Sequence, residues 1–514
     1  MNFDLVVRGG TVVTVDAVFP ADIGIIGEKI AAVVAPLMLL DTAHILDATG
    51  CYVLPGAIDA HVHLQMHTDV GVTADDWRTG TTAAALGGTT TLVDFVETQP
   101  HETLLDALHK RVDEARAAVI DYGLHMTLQP DEHPIQGIPR RVSTNRIGQI
   151  REAYEAGCAT FKMYQAYPGF QVKDADLLRA LFAIREVGGM ACIHSENGDV
   201  IEVLRERAKR DDGRPTTDDG SLFLSSVVGR PSSLPLSSAY HHALTRPPIN
   251  EHESVTRAVM CAEISGARVL IFHIGCEAAA RVVAEAKARG LAGIYGETCP
   301  QYLVLTDEQL QREDGRLWIC APPLRPQADQ DAMWAMLASR ALDLISTDHC
   351  PFTRQQKDAG RDDFRLAPGG VPGIETRLGL IHHFGVRTGR LSLSDWVRLC
   401  CTRPAELHAL HSKGRLATGF DADLVIFDPS AHKDLSAGHL HSAITWSAYE
   451  GITCEGWPRD VLSRGEIIVR EQQFVGQAGR GRFLKRASSS AQRFRWLQSD
   501  RTYAVTQSAL SIAE

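Results

Sequence analysis

Between about residues 52 and 410, short apolar runs alternate with longer amphipathic stretches, and no other feature of this chain restricts its fold so strongly. The runs are Ala57–Leu64, Thr89–Val96, Tyr122–Leu128, Thr160–Tyr164, Met190–Ser195, Arg268–Ile274, Gly293–Glu297 and Leu342–Thr347. Between them, stretches such as Glu102–Ala118, Ala175–Val187 and Glu277–Arg289 carry apolar residues at helical spacing with charged outer faces. Strands separated by helices imply parallel βα units, and eight such units are the count for a closed α/β barrel of the (β/α)8 type. In that architecture functional side chains gather at the carboxyl ends of the strands. An open doubly wound sheet is the alternative arrangement. The stretch Asn197–Glu253 is longer than an ordinary connection. With Asp211-Asp212-Gly213-Arg214 and a Ser/Pro-rich run from Ser225 to Ser238, it is predicted to be a surface excursion or a subunit contact.

The two chain ends have a different texture. Phe3–Arg8 is predicted to turn at Gly9-Gly10 into Thr11–Val15, and Ala21–Ile26 to turn at Gly27-Glu28-Lys29 into Ile30–Val33. Short strands return at Asp423–Asp428 and Glu466–Arg470. Neither end alone buries a good core, so together they are expected to form one small β-sandwich; an extra sheet packed on the main domain is the alternative. The resulting division is 1–55 and 413–486 for the sandwich, 56–412 for the barrel and 487–514 for a C-terminal tail.

Composition narrows the class. The 514 residues hold 44% hydrophobic and 22% charged side chains, ordinary globular values. Lys and Arg number 52 against 63 Asp and Glu, a net charge of −11 that argues against nucleic acid as the main ligand. The longest apolar run, Ile30 to Leu40, contains Pro36 and falls short of the roughly 20 residues a bilayer span needs. The N-terminus has an acid at Asp4 and Gly9-Gly10, which is no signal-peptide layout. Eleven cysteines, an odd number with no CxxC pair, suit reduced buried thiols and a cytoplasmic location.

Metal-competent side chains fall at the ends of the apolar runs. The first ends in Asp59-Ala60-His61-Val62-His63, where period-two alternation puts both imidazoles on one side. With 21 histidines in the chain, such a pair alone says little. The fourth contains Phe161-Lys162-Met163-Tyr164, and a lysine inside an apolar strand must be paired, neutral or modified. The fifth ends in His194-Ser195-Glu196-Asn197, the sixth in His273-Ile274, and the eighth in Thr347-Asp348-His349. Each histidine singly reads as well as a satisfied core imidazole. Jointly, side chains in this order point to one barrel mouth.

This order resembles the amidohydrolase superfamily with a two-metal centre bridged by a carboxylated lysine, and the local sequences are similar to the dihydropyrimidinase and hydantoinase family. The matching pieces include Gly56–Leu64, Ala74-Asp75-Asp76-Trp77, Phe161–Tyr167, Ser195–Gly198, Thr245-Arg246-Pro247-Pro248, Pro322-Pro323-Leu324-Arg325, Ser346–Phe352, Gly370–Glu375 and Gly419–Leu424. They cover roughly residues 3 to 486. The resemblance implies two divalent ions per chain, zinc first with manganese or cobalt as alternatives. His61, His63 and Asp348 would hold one ion and His194 and His273 the other, with Lys162 as N6-carboxylysine bridging both. It implies hydrolysis of a cyclic amide by a hydroxide shared between the ions. Asp348 would shuttle the proton to the departing ring nitrogen, and Tyr167 would hydrogen-bond the oxyanion. The expected products from dihydropyrimidines or 5-substituted hydantoins are N-carbamoyl amino acids.

The substrate-contacting loops depart from the family pattern. Ala321 stands where the family has a serine before Pro-Pro-Leu-Arg, and Gly369 where it has an asparagine before the Pro-Gly pair. The resemblance implies recognition of the ring mainly through main chain there, which survives both changes, while side-chain support is lost. Relatives that open dihydroorotate carry an arginine soon after the histidine pair; here Leu64-Gln65-Met66-His67 follows and the first arginine is Arg78, so a carboxylated ring is disfavoured. An allantoinase or another cyclic-amide hydrolase is the second reading. A non-catalytic scaffold relative is the third, and the six filled ligand positions argue against it.

The C-terminal tail carries Arg480, Arg482, Lys485, Arg486, Arg493, Arg495 and Arg501 interleaved with Phe483, Phe494 and Trp496. Such a stretch suits a solvated tail or an interface anchor. With the family's habit of tetramers, the expectation is a homotetramer in which the tail packs on a neighbouring chain, with no nucleic acid or membrane partner.

Overall fold

Parallel strands Ala57–Asp59, Thr89–Val96, Asp121–Thr127, Thr160–Tyr164, Met190–His194, Arg268–Ile271, Ile294–Thr298 and Leu344–Ile345 lie side by side in chain order. The structure, a computed structural model, describes residues 2–38, 42, 44–99, 102–131, 141–210 and 237–486. Every neighbouring pair among the eight is parallel, as right-handed βα crossovers require. The open doubly wound alternative is therefore set aside: the sheet curls into a (β/α)8 barrel.

Side chains draw the first and last strands together. Arg377, buried, donates from one Nη1 to Ile58 O at 2.8 Å and to Ile345 O at 2.7 Å. Thr347 gives its N–H to Asp59 Oδ1 at 3.0 Å and its hydroxyl to Asp59 Oδ2 at 2.7 Å. Farther towards the mouth, His63 N donates to His349 O at 2.8 Å. The first strand is thus shorter than the apolar run Ala57–Leu64 suggested. Its ladder to Thr89–Val96 ends at Asp59, and the chain beyond pairs with the eighth unit instead, bridging Val62 to His349.

Helices cover the outside. Asp76 caps Trp77–Leu86 through a reciprocal capping box with Thr79, Thr103 caps Leu104–Glu114, and Gly188 at φ 79° ends Asp174–Val187. Ile58, Val93, Phe95, Met190, Leu270 and Phe272 are among the side chains that fill the lumen. The long connection after the fifth strand is partly regular, with helices Gly198–Arg210, Tyr240–Leu244 and Pro248–Ser265. Most of its Ser/Pro-rich run lies outside the described residues.

The chain ends form one hydrogen-bonded sheet of nine strands, the β-sandwich domain of this architecture. Tyr52–Pro55 pairs antiparallel with Leu424–Asp434, Leu424 facing Pro55 and Phe427 facing Tyr52. Val7, Val12, Ile23, Val53, Leu424 and Ile426 share its core, so neither end is a separate addition. The predicted turn at Gly9-Gly10 is a correction: Leu5–Val13 is one strand, with a register shift between Val7 and Gly10 against Val18–Ile26. Gly9 at φ 79° takes up the extra residue as a bulge, so the chain continues instead of reversing. From this sheet Arg480–Arg486 returns across the amino end of the barrel. Tyr122 N donates to Arg482 O at 3.0 Å, Leu484 N to Tyr122 O at 2.7 Å and Arg486 N to Gly157 O at 3.0 Å.

Candidate active site and metal centre

Five of the six candidate ligands stand at or just beyond strand ends on one side of the barrel, and the sixth lies inside its strand. His61 and His63 follow the first strand, Lys162 lies within the fourth, and His194 ends the fifth. His273 and Asp348 come two and three residues after the sixth and eighth strands. His273 at φ 40°, Asp348 at φ 51° and Tyr167 at φ 72° all occupy the left-handed region. For a non-glycine residue that conformation costs about 1–3 kcal/mol, and it is a way to turn a side chain from the wall into the mouth.

One half of the cluster is His61, His63 and Asp348, whose ligand atoms all lie within 4.8 Å of one another. His61 Nε2 is 3.1 Å and His63 Nε2 3.2 Å from Asp348 Oδ1. The other half is His194 and His273, with Nδ1 of the first 3.0 Å from Nε2 of the second. The His61 and His273 rings, 5.3 Å apart, join the two. Burial pushes Asp348 up, but the charges and hydrogen bonds of His61 and His63 prevail and hold it well below the usual carboxylate range. Burial likewise lowers His63, His194 and His273, which favours the neutral imidazole a metal needs.

Lys162 is fully buried, and the bland expectation of an ion pair with a core acid is not what surrounds it. Its ammonium lies 4.3 Å from the Phe272 ring centroid, 4.7 Å from that of Tyr164 and 5.5 Å from that of Phe95. Burial pulls it down to about 8, against the more distant charges of Asp348 and Glu297.

A supporting layer holds these groups. Glu297, buried in the seventh strand, accepts from His61 Nδ1 at 2.8 Å and from His273 N at 3.2 Å, which turns His61 Nε2 towards Asp348. Glu196 lies 2.9 Å from His194 Nε2 and pairs with Arg246. Asp75 receives His349 Nε2 at 3.0 Å and thereby braces the Asp348 loop. Sequence reasoning assigned no role to Glu297, Glu196 or Asp75. Glu196 and Asp75 sat inside quoted motifs, whereas an acid ending an apolar strand was the one available signal for Glu297.

The donor set suits two divalent ions. His61 Nε2 meets Asp348 and His194 Nδ1 meets His273 Nε2, while Glu297 and Glu196 occupy the opposite nitrogens of His61 and His194. A second trio, His125, Cys192 and His408, also has ligand atoms within 4.8 Å. Both ring nitrogens of His125 are already taken, by Thr160 Oγ1 at 2.7 Å and Ala60 O at 2.9 Å. The buried Arg486 guanidinium hydrogen-bonds the same Thr160, at 3.0 Å, so a cation there would meet a charge of its own sign.

Tyr167 stands beside the cluster, its ring centroid 4.8 Å from that of His194 and 5.5 Å from the Arg246 guanidinium. Ala321 is half-buried and Gly369 exposed, on loops joined by Gly370 N donating to Ile319 O at 2.9 Å. The second loop meets the Asp348 segment through Cys350 N and Val371 O, 3.1 Å apart. All eleven cysteines are free and buried. Among the described residues no helix is long and apolar enough to cross a membrane.

Comparison with known proteins gives a consistent picture. A model of the amidohydrolase family matches residues 52–468. The chain is 38% identical over 492 residues to a D-hydantoinase of Geobacillus stearothermophilus, covering 94% of this chain and 97% of that protein. It is 36% identical over 490 residues to a D-hydantoinase of Rhizobium radiobacter, with 94% and 99% covered. The crystal structure of a dihydropyrimidinase from Brevibacillus agri superposes with a TM-score of 0.85 at 36% identity, covering 94% of this chain and 99% of that one.

Proposed function

This chain belongs to the amidohydrolase family, and we propose on that footing that it hydrolyses cyclic amides, opening dihydropyrimidines or 5-substituted hydantoins to N-carbamoyl amino acids. The observation that carries the reading is the convergence of His61, His63 and Asp348 on one point, with His194 and His273 beside them. We assign His61, His63 and Asp348 to one divalent ion and His194 and His273 to a second. Lys162, as its carbamate, would help to hold both; the carbamate forms when the neutral amine adds carbon dioxide and releases a proton. A lysine held near 8 in an aromatic cage is neutral often enough to react, and the carbamate exchanges a buried ammonium for the negative charge two cations demand. When bound, two such ions, zinc first, would supply an ionised water near neutral pH and Lewis acidity at the amide carbonyl.

The chain's own groups do the rest. Asp348, kept ionised, takes the proton of the attacking water and delivers it to the departing ring nitrogen. The Tyr167 hydroxyl donates to the oxyanion as the carbonyl carbon becomes tetrahedral. Main-chain groups around Ala321 and Gly369 hold the ring amide, since neither residue has a polar side chain to offer. We also assign a homotetrameric assembly and a cytoplasmic location, the latter from eleven free thiols.

Purified protein supplied with zinc should open dihydrouracil or a 5-substituted hydantoin, and should lose the activity on chelation. A panel that includes allantoin and dihydroorotate decides among substrates. Turnover of allantoin alone would move the assignment to an allantoinase, and inactivity towards every ring with no bound metal would favour a scaffold.

A further inference from the structure

Lys357 is a second fully buried lysine, on the short helix Arg354–Lys357 that follows the Asp348 loop. Its Nζ donates to Ile319 O at 2.9 Å and to Pro368 O at 2.8 Å, and it lies 5.7 Å from the Phe352 ring centroid. Leaving a lysine in such surroundings is unfavourable, and burial pulls its pKa down to about 7. Stability alone would favour an apolar residue here, so what the side chain connects deserves an explanation.

The two carbonyls belong to the two loops assigned to the substrate. Ile319 is two residues before Ala321, and Pro368 immediately precedes Gly369. Ile319 O also accepts Gly370 N at 2.9 Å, so one carbonyl receives both the lysine and the opposite loop. The loops close tightly on the Asp348 segment: a Cβ at Gly370, which has φ 149°, would lie 2.5 Å from Cys350 O. Gly369 has open space around its Cα, and nothing of its own side chain can orient it. Other bonds hold single loops, such as Tyr302 to Pro322 O at 2.7 Å and His242 to Cys320 O at 2.8 Å. Lys357 reaches both.

We propose that Lys357 is a positioning residue for substrate recognition: by bonding Ile319 O and Pro368 O it sets the separation of the two loops whose main chain grips the ring amide. It stands in for the polar side chains that Ala321 and Gly369 lack, and it acts on binding rather than on the chemical step. The inference rests on the reading of this protein as a cyclic-amide hydrolase.

The test uses the full-length, metal-loaded protein and whichever ring amide the parent turns over. Lys357→Met keeps the volume and removes the donors; KM should rise at least ~10-fold while kcat and bound metal change little. Lys357→Gln keeps an N–H donor and should fall between parent and Met. If the Met variant does not fold, the Gln variant decides: a KM raised about threefold or more supports the role, and a parental KM overturns it. A folded, metal-loaded Met variant with parental KM also overturns it, as does a loss confined to kcat or to the yield of folded protein. A parent that opens no ring amide removes the underlying reading, and this inference with it.

Discussion

Among the described residues, three aromatic rings and no carboxylate at ion-pair distance surround the Lys162 ammonium, an arrangement that tolerates a cation but does not neutralise it. Removing the side chain takes away the proposed bridge between the ions. Lys162→Ala is expected to lose bound metal and to lower kcat/KM by ~10²-fold or more. Short carboxylic acids added to the assay should restore part of it, because a carboxylate can enter the space the carbamate leaves. Full activity without additive, measured beside metal content, would contradict the bridging role. At this scale the clustering of His61, His63, His194, His273 and Asp348 was readable, since polar side chains in or just beyond apolar strands are expensive unless they have partners. Glu297 was not readable: its value comes from reaching His61 from another strand, and 236 residues separate the two.

Elements were readable wherever one physical signal dominated. Apolar runs marked all eight barrel strands, and amphipathic stretches marked helices such as Leu104–Glu114 and Asp174–Val187. The misjudged turn at Gly9-Gly10 shows the limit of that approach. A glycine pair serves a bulge as well as a hairpin, and the partner strand Val18–Ile26 selects between them. The segment Arg480–Arg486 carried charges that pointed to solvent or an interface, yet Arg486 is buried, with its guanidinium bonded to Leu124 O and to Thr160 Oγ1. Arg486→Met would leave those acceptors short of donors beneath the metal centre. It is expected to cost on the order of 2 kcal/mol, read as a lower melting temperature. Unchanged melting would mean that the buried guanidinium contributes nothing to stability.

On the scale of the whole molecule, Arg486 also determines where the tail begins. Phe494, Trp496 and the arginines around them lie outside the described residues, and the proposed tetramer gives them a task. A chain ending after Arg486 removes the tail while sparing that buried arginine. It is expected to shift from tetramer towards dimer in light scattering, with metal content unchanged; a truncated protein that stays tetrameric would exclude the tail as anchor.

Pattern and residue chemistry within the sequence were enough to specify the repeating strand–helix units, the pooling of both chain ends in one domain, and a set of metal-competent side chains aimed at one mouth. Those properties rest on local signals: hydrophobic period, turn residues, and the cost of burying polar groups without partners. Tertiary structure alone decided how the barrel draws closed through Arg377 and Asp59, which acid orients His61, and that Lys357 joins the loops at Ile319 and Pro368. Each of these rests on hydrogen bonds between groups that folding brings together, chosen by directional geometry at about 3 Å. Such a choice leaves no trace in composition or period, and it exists only once the chain has folded.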